Sequence, residues 1–135
     1  MQQMVFINFP VKDIDVATNF YLGLGYTKNE MFSDESTSSI VISDAIVIML
    51  LQDEKFQSFV TKPLGDSEKE AFGTFAISVD SREAVDTLVE KALATGATPN
   101  KEPIDMGFMY NRSFYDPDGH LLEFVWMDPD AEMGE

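Results

Sequence analysis

Glu123 is the residue of this chain whose type and surroundings most clearly suggest chemistry. It is the single carboxylate in the otherwise apolar run of residues 121–125. A carboxylate among apolar side chains is paired with a donor, exposed to water, or placed to react or to hold a ligand. The run follows an Asp-Pro-Asp-Gly tight-turn sequence at residues 116–119, which predicts that it is the second strand of a hairpin.

Three more side chains that could bind a ligand or take part in catalysis lie near this turn. Arg112 and Tyr110 lie on the preceding strand, where either could be the hydrogen-bond partner of Glu123. Arg112 could also clamp a carboxylate or phosphate ligand, or pair with one of the 24 acidic residues. Strand alternation does not decide which face these two side chains occupy, because one β-bulge would exchange the faces. His120, the only histidine, is predicted to face solvent after the turn, so a Ser/His/Asp arrangement is not expected.

Composition narrows the classes of function. The 135 residues carry a formal net charge of −15, which argues against nucleic acid or an anionic membrane surface as a partner. Cysteine is absent, which excludes disulfides, Cys-based zinc sites and a nucleophilic cysteine. Neither a signal peptide nor an apolar run of about 20 residues is evident. A single cytoplasmic domain is therefore expected.

Hydrophobic periodicity and turn residues predict an alternation of strands and helices. In the first half, Asp13 is the predicted N-cap of a helix that Gly25 ends; in the second half, Ser81 and Gly96 do the same. The predicted elements of the first half are a strand (4–11), a helix (13–24), two strands (37–42 and 45–51) and a short helix (54–60). Those of the second half are a strand (74–79), a helix (81–95) and three strands (98–102, 108–115 and 120–126).

The chain reads as a duplication. Val11 and Val79 end the first strand of each half and lie 68 positions apart (79 − 11). Half-modules of about residues 1–60 and 72–128 are expected, with a polar linker at 61–71 and an acidic C-terminal tail at 128–135. Each first strand has one apolar face, assigned to the helices, and one mixed face that indicates either a ligand cavity or plain solvent exposure. The mixed faces comprise Phe6, Asn8 and Pro10, and Thr74, Ala76 and Ser78.

The paired pattern resembles a known family. With FYLGLGY at residues 20–26 and DPDGHLLE at residues 116–123, the chain is similar to the vicinal-oxygen-chelate superfamily of glyoxalases, bleomycin- and fosfomycin-resistance proteins and extradiol dioxygenases. The resemblance covers nearly the whole chain. It implies an α+β fold in which two βαβββ modules form a curved mixed sheet with a central cup. It also implies a homodimer.

The resemblance further implies where a divalent metal would be held. The family's ligand positions fall on Phe6, about Met49, Thr74 and Glu123. Only Glu123 keeps a ligand-type side chain, so no metal is expected as a cofactor, and any divalent ion would bind weakly.

The expected function is therefore binding of a small organic ligand in the cup without the usual metal site. The alternative is a lyase, isomerase or dioxygenase-type enzyme in which Glu123 is a metal ligand or a general base. A third reading is a protein that acts through its surface. The candidate ligand-binding residues are Phe6, Asn8, Met49, Thr74, Tyr110 and Arg112, with Glu123 as the candidate catalytic residue.

Overall fold

Two compact units make up the chain in the computed structural model, which describes residues 1–131. The boundary between them falls between Glu70 and Ala71, at the end of the predicted linker. The linker contains no strand and is mostly exposed, with one hydrogen-bonded turn in which Asp66 O accepts from Lys69 N and Glu70 N at 3.1 and 2.9 Å.

The first unit is a four-stranded sheet with one main helix. The strand order is β1-β4-β3-β2, with β1 and β4 parallel and the other neighbours antiparallel. A 3₁₀ turn at Glu30–Phe32 was not foreseen from the periodicity. The elements are β1 (Val5–Val11), α1 (Ile14–Gly23), β2 (Thr27–Lys28), β3 (Thr37–Val41), β4 (Ile46–Gln52) and the short helix α2 (Asp53–Gln57).

Helix α1 begins where the sequence predicts. The Asp13 carboxylate accepts hydrogen bonds from the backbone N–H groups of Asp15 and Val16 at 3.0 and 3.2 Å, which satisfies two donors that the first turn leaves unpaired. Gln52 fixes the same end, because its Oε1 accepts from Ile14 N at 2.6 Å and its Nε2 donates to Lys12 O at 3.2 Å. The start of α1 is thereby tied to the end of β4.

The second unit repeats this topology. Its strand order is β5-β9-β8-β6, with β5 and β9 parallel, and β7 adds a second short pairing to β8. The predicted α+β class with two βαβββ modules is confirmed. The elements are β5 (Thr74–Ser78), α3 (Arg82–Ala94), β6 (Thr98–Pro99), β7 (Ile104–Asp105), β8 (Met109–Tyr115) and β9 (Leu121–Met127).

Helix α3 covers one face of the second sheet. Ser81 Oγ accepts from Ala84 N at 3.0 Å and caps the helix as predicted. The helix buries Val85, Val89 and Ala92, and the sheet contributes the fully buried side chains of Phe114, Leu122 and Phe124. These apolar contacts form the core of the second unit.

The turn between β8 and β9 corrects the prediction for His120. The Asp116 carboxylate accepts from the backbone N–H groups of Asp118 and His120, both at 2.9 Å, and Asp116 N donates to His120 O. This closed turn draws His120 inward, where it is 8% exposed and continues the buried alternation of β9. The prediction that His120 faces solvent was wrong, because the turn folds back on the acidic side chain that begins it.

The start of the predicted C-terminal tail is hydrogen-bonded to the second unit. Asp128 N donates to Phe108 O at 2.8 Å, so the chain is still held to the residue before β8 at this position. Residues 132–135, the rest of the predicted tail, lie outside the described residues. None of the helices within residues 1–131 combines the length and apolar character needed to cross a bilayer.

An ion pair fastens β7 to the start of α3. The Arg82 guanidinium donates to both carboxylate oxygens of Asp105 at 2.8 and 2.9 Å and to Gly107 O at 3.0 Å. Its Cζ also lies 5.1 Å from the ring centroid of Tyr110 and 5.2 Å from that of Trp126. Hydrogen bonding to Arg82 lowers the pKa of Asp105 from its ordinary 3.8 to about 2.

This pKa shift predicts a pH-dependent contribution to stability. Because the folded-state pKa of Asp105 is depressed, the ion pair stabilises the fold above pH 3.8, and this contribution disappears as the pH falls toward 2. The melting temperature of Asp105→Asn should therefore lie below that of the wild type near neutral pH and converge with it near pH 2. Circular dichroism melts across this range provide the measurement, with Glu35→Gln, an exposed carboxylate in the first unit, as control. A constant difference at all pH values would contradict the prediction.

Candidate functional site

Each sheet has one face covered by its main helix and one opposite face. We call the faces opposite α1 and α3 the first and second distal faces. In the first sheet, Thr18 on α1 hydrogen-bonds Ser38 on β3, which assigns Ser38 and its register partner Leu50 to the α1 side. In the second sheet, Arg112 on β8 reaches acidic side chains of α3, which assigns Arg112 and its register partner Phe124 to the α3 side.

The first distal face brings together three of the predicted site residues. Asn8 and Met49 are register partners across β1 and β4, and Ser39 pairs with Met49 from β3. Phe6 lies two residues before Asn8 on the same face and is 56% exposed. Asn8 is also exposed, and its Nδ2 donates to Phe6 O at 3.2 Å. An exposed aromatic ring, an amide and a thioether are thus neighbours on this face.

The second distal face carries Glu123 at its centre. Glu123 lies on β9, between β5 and β8, and its register partners are Ala76 and Ser113. The carboxylate is partly buried and makes no hydrogen bond or ion pair with any residue from 1 to 131. Thr74 lies on the same face but pairs with Leu121, two positions away along the strand.

The duplication places Met49 and Glu123 at equivalent positions. Asn8 and Ala76 are 68 residues apart, the same offset that relates Val11 to Val79. Met49 pairs in parallel with Asn8, and Glu123 pairs in parallel with Ala76. The two units therefore present a thioether and a carboxylate at the same point of the same topology.

Tyr110 and Arg112 lie away from this site. Tyr110 Oη donates to Asp86 Oδ1 at 2.6 Å, while Arg112 donates to Asp86 Oδ1 at 3.0 Å and to Glu90 Oε2 at 2.9 Å. The hydrogen bond from Tyr110 lowers the pKa of Asp86, and the same bond raises the pKa of Tyr110. The alternative that Arg112 pairs with acidic residues is confirmed, and the acids belong to α3. The structure thus separates both residues from Glu123, which lies on the opposite face of the sheet.

Several distal-face residues were not among the candidate ligand-binding residues, although alternation placed Ala76 on a mixed face and left open whether Ser113 faces the cup. Ala76 and Ser113 flank Glu123, and Ser39 flanks Met49. Ser113 Oγ also accepts from Asn100 Nδ2 at 2.9 Å. The signal that identifies them is strand register, which alternation within one strand does not supply.

Thr37 is an unusual member of the first distal face. It pairs with Leu51, is 6% exposed, and its Oγ1 has no hydrogen-bond partner among the described residues. Thr18 provides a contrast on the other face, since its Oγ1 donates to Ile14 O at 2.6 Å and also bonds the Ser38 hydroxyl. A buried hydroxyl without a partner destabilises a fold, whereas a paired hydroxyl stabilises it modestly.

These two threonines give a matched prediction. Thr37→Val should raise the free energy of unfolding by up to about 1 kcal/mol, because it removes an unpaired hydroxyl at nearly constant shape. Thr18→Val should lower it by about 1–2 kcal/mol, because Ser38 loses its side-chain partner. Urea titrations of both variants measure the difference. A destabilised Thr37→Val would show instead that the hydroxyl has a bound partner in solution, such as an ordered water.

Comparison with known proteins was informative at the level of the family. A family model described as the glyoxalase/bleomycin resistance protein/dioxygenase superfamily matches residues 3–124. The chain belongs to this superfamily. No curated protein matches the chain at a significant level of sequence similarity.

Several solved structures share the fold. A hypothetical protein from S. aureus superimposes with a TM-score of 0.78 at 26% identity, over 93% of this chain and 94% of that one. A glyoxalase-related enzyme from Fulvimarina pelagi gives 0.78 at 20% identity, over 100% and 96%. The fosfomycin resistance protein FosX from Listeria monocytogenes gives 0.67 at 23% identity, over 93% of each chain. Identities this low establish the fold alone.

The side chains of this superfamily member do not fit a divalent metal. The implied ligand positions hold a phenyl ring at Phe6, a thioether at Met49, a hydroxyl at Thr74 and a carboxylate at Glu123. Hard and borderline divalent ions bind imidazole and carboxylate oxygen or nitrogen ligands, of which this set offers one. No group of three His, Cys, Asp or Glu side chains that could hold a metal occurs within residues 1–131. These four side chains are better suited to contacting an apolar or singly charged organic molecule than to coordinating a metal ion.

Proposed function

We propose that this glyoxalase-superfamily protein binds small organic molecules on its distal faces, without a resident divalent metal. On the first distal face the proposed ligand contacts are Phe6, Asn8 and Met49. On the second they are Thr74 and Glu123. The observation that carries the proposal is that the ligand positions implied by the resemblance hold an exposed ring, a thioether, a hydroxyl and only one carboxylate. Apolar surface with few polar groups is typical of small-molecule sites.

Phe6 offers the most direct test, because its ring is exposed and its loss should not disturb the core. A library of small organic fragments is screened by ligand-observed NMR against the wild type, Phe6→Ala and Phe32→Ala. Phe32 is a matched control, since it is 61% exposed in the same unit but lies on the 3₁₀ turn. Fragments that bind the wild type should lose about tenfold or more in affinity in Phe6→Ala and keep their affinity in Phe32→Ala.

Two outcomes would contradict the proposal. One is the absence of any fragment whose binding depends on Phe6. The other is metal binding: after incubation with nickel, zinc, manganese or ferrous iron and desalting, elemental analysis that finds one tightly held ion per chain would reject the metal-free part of the proposal.

Catalysis is a second candidate function. It is favoured by Glu123, whose carboxylate makes no hydrogen bond or ion pair with any described side chain. In this proposal Glu123 is the general base of a lyase or isomerase reaction. Once a substrate is known, Glu123→Gln should abolish turnover and leave the melting temperature nearly unchanged. Retained turnover would remove Glu123 from the mechanism.

The proposal includes a homodimer, which the family resemblance supports, and a cytoplasmic location. Light scattering coupled to gel filtration measures the mass, and a monomer at micromolar concentration would contradict the dimer.

A further inference from the structure

The second distal face carries a single charge at its centre. Ala76 and Ser113 are the register partners of Glu123 on the neighbouring strands. Leu121 lies two residues before Glu123 on the same face of β9, and its register partner on β8 is Tyr115. All of these neighbours are neutral, and Leu121 and Tyr115 are partly buried. The immediate surroundings of the carboxylate are thus small, aliphatic or aromatic.

The arginines of the second unit do not neutralise this charge. Arg82 and Arg112 lie at the α3 side, where they are held by Asp105 and by the acids of α3. The two lysines of the described part of this unit, Lys91 and Lys101, are exposed on α3 and in the loop before β7. No described side chain forms an ion pair with Glu123.

A partly buried carboxylate without a counter-charge favours a bound cation. Desolvation of an unpaired charge is unfavourable, and an external cation relieves it. The net charge of −15 also raises the local concentration of cations around the protein. A metal ion would need more ligands than this face supplies, whereas an organic ammonium needs one carboxylate and apolar or aromatic surface.

We propose that the second distal face binds a small organic ammonium ion. The ammonium charge pairs with the Glu123 carboxylate, and the alkyl groups pack against Leu121 and the ring of Tyr115. This inference rests on the proposed small-molecule binding and adds the charge and chemical class of the ligand.

Choline and its neutral isostere 3,3-dimethylbutan-1-ol form a pair of probes that differ only in charge. Titration of the wild-type protein, followed by amide chemical shifts of β9, should show saturable binding of choline that weakens as sodium chloride is added. The neutral alcohol should bind at least about tenfold more weakly. Equal binding of the two probes, or no saturation by choline, would overturn the inference.

Variants locate the effect. Glu123→Gln should lose at least about tenfold in choline affinity, while Glu102→Gln, the same charge change in an exposed loop of the same unit, should bind choline like the wild type. An unchanged affinity in Glu123→Gln would overturn the inference. The comparison of probes on the wild type decides the question even if Glu123→Gln does not fold.

The two proposals fail in different ways. If neutral fragments bind in a Phe6-dependent manner but choline does not bind, ligand binding stands and the cationic ligand is rejected. If no fragment binds in a Phe6-dependent manner, the proposed function is rejected, whether or not choline binds.

Discussion

Replacement of Phe124 by alanine is expected to lower the free energy of unfolding by about 3–5 kcal/mol. Phe124 is 0% exposed, and its ring centroid lies 5.9 Å from that of Phe114 at the α3 side of the second sheet. Truncation removes buried apolar area and leaves a cavity that the sheet, held by its backbone ladder, cannot fully close. Guanidinium denaturation monitored by circular dichroism at 222 nm measures the loss.

The next residue on the strand provides the control. Val125 points to the second distal face and is only partly buried, so Val125→Ala should cost less than half as much. Equal costs at the two positions would mean that the assignment of faces in β9 is wrong. Because Glu123 belongs to the same alternation, this pair also tests the placement of the candidate site.

Arg112→Met is expected to cost about 2 kcal/mol of stability, the second largest effect we predict. Arg112 joins β8 to α3 through charge-assisted hydrogen bonds to Asp86 and Glu90, and its side chain is 19% exposed. The substitution keeps most of the apolar stem but leaves the carboxylates of Asp86 and Glu90 without the guanidinium. Partial exposure of Asp86 and Glu90 limits the loss.

Arg112→Lys separates charge from geometry. A lysine keeps the positive charge but cannot span the two acids with a planar fork, so its stability should fall between those of the wild type and Arg112→Met. A double-mutant cycle with Asp86→Asn gives the coupling energy of the pair. Wild-type stability in Arg112→Met would show that the network contributes nothing in solution. Binding of the ammonium probe should be unaffected in either variant, because Arg112 lies on the other face.

Much of the fold was predictable because its signals are local. The caps at Asp13 and Ser81 and the apolar alternation of β1 and β5 depend on neighbours in sequence, and each was confirmed. The two-residue strands β2 and β7 were missed, and the strand predicted at residues 98–102 spans only Thr98–Pro99 in β6. Such strands have no periodicity of their own and exist through the partner that pairs with them.

The site was predictable in residue type but not in arrangement. Glu123 was recognisable as a lone acid, yet its neighbours Ala76 and Ser113 follow from register between strands that are distant in sequence. Strand alternation did not show which face of β8 carries Arg112. Its hydrogen bonds to the acidic side chains of α3 show that it lies on the α3 side. The register partners of Glu123 and the face occupied by Arg112 both depend on contacts between elements distant in sequence, which the pattern of one strand does not reveal.

The central position of β9 has a consequence for the synthesis of the protein. This strand pairs with β5 on one side and β8 on the other, yet it follows both of them in the sequence. The first unit can complete its sheet while the ribosome is still adding residues, whereas the second has an open gap between β5 and β8 until β9 has been translated. Premature termination before Leu121 would therefore release a chain with one finished half and one that exposes unpaired strand edges, the kind of species that chaperones and proteases recognise.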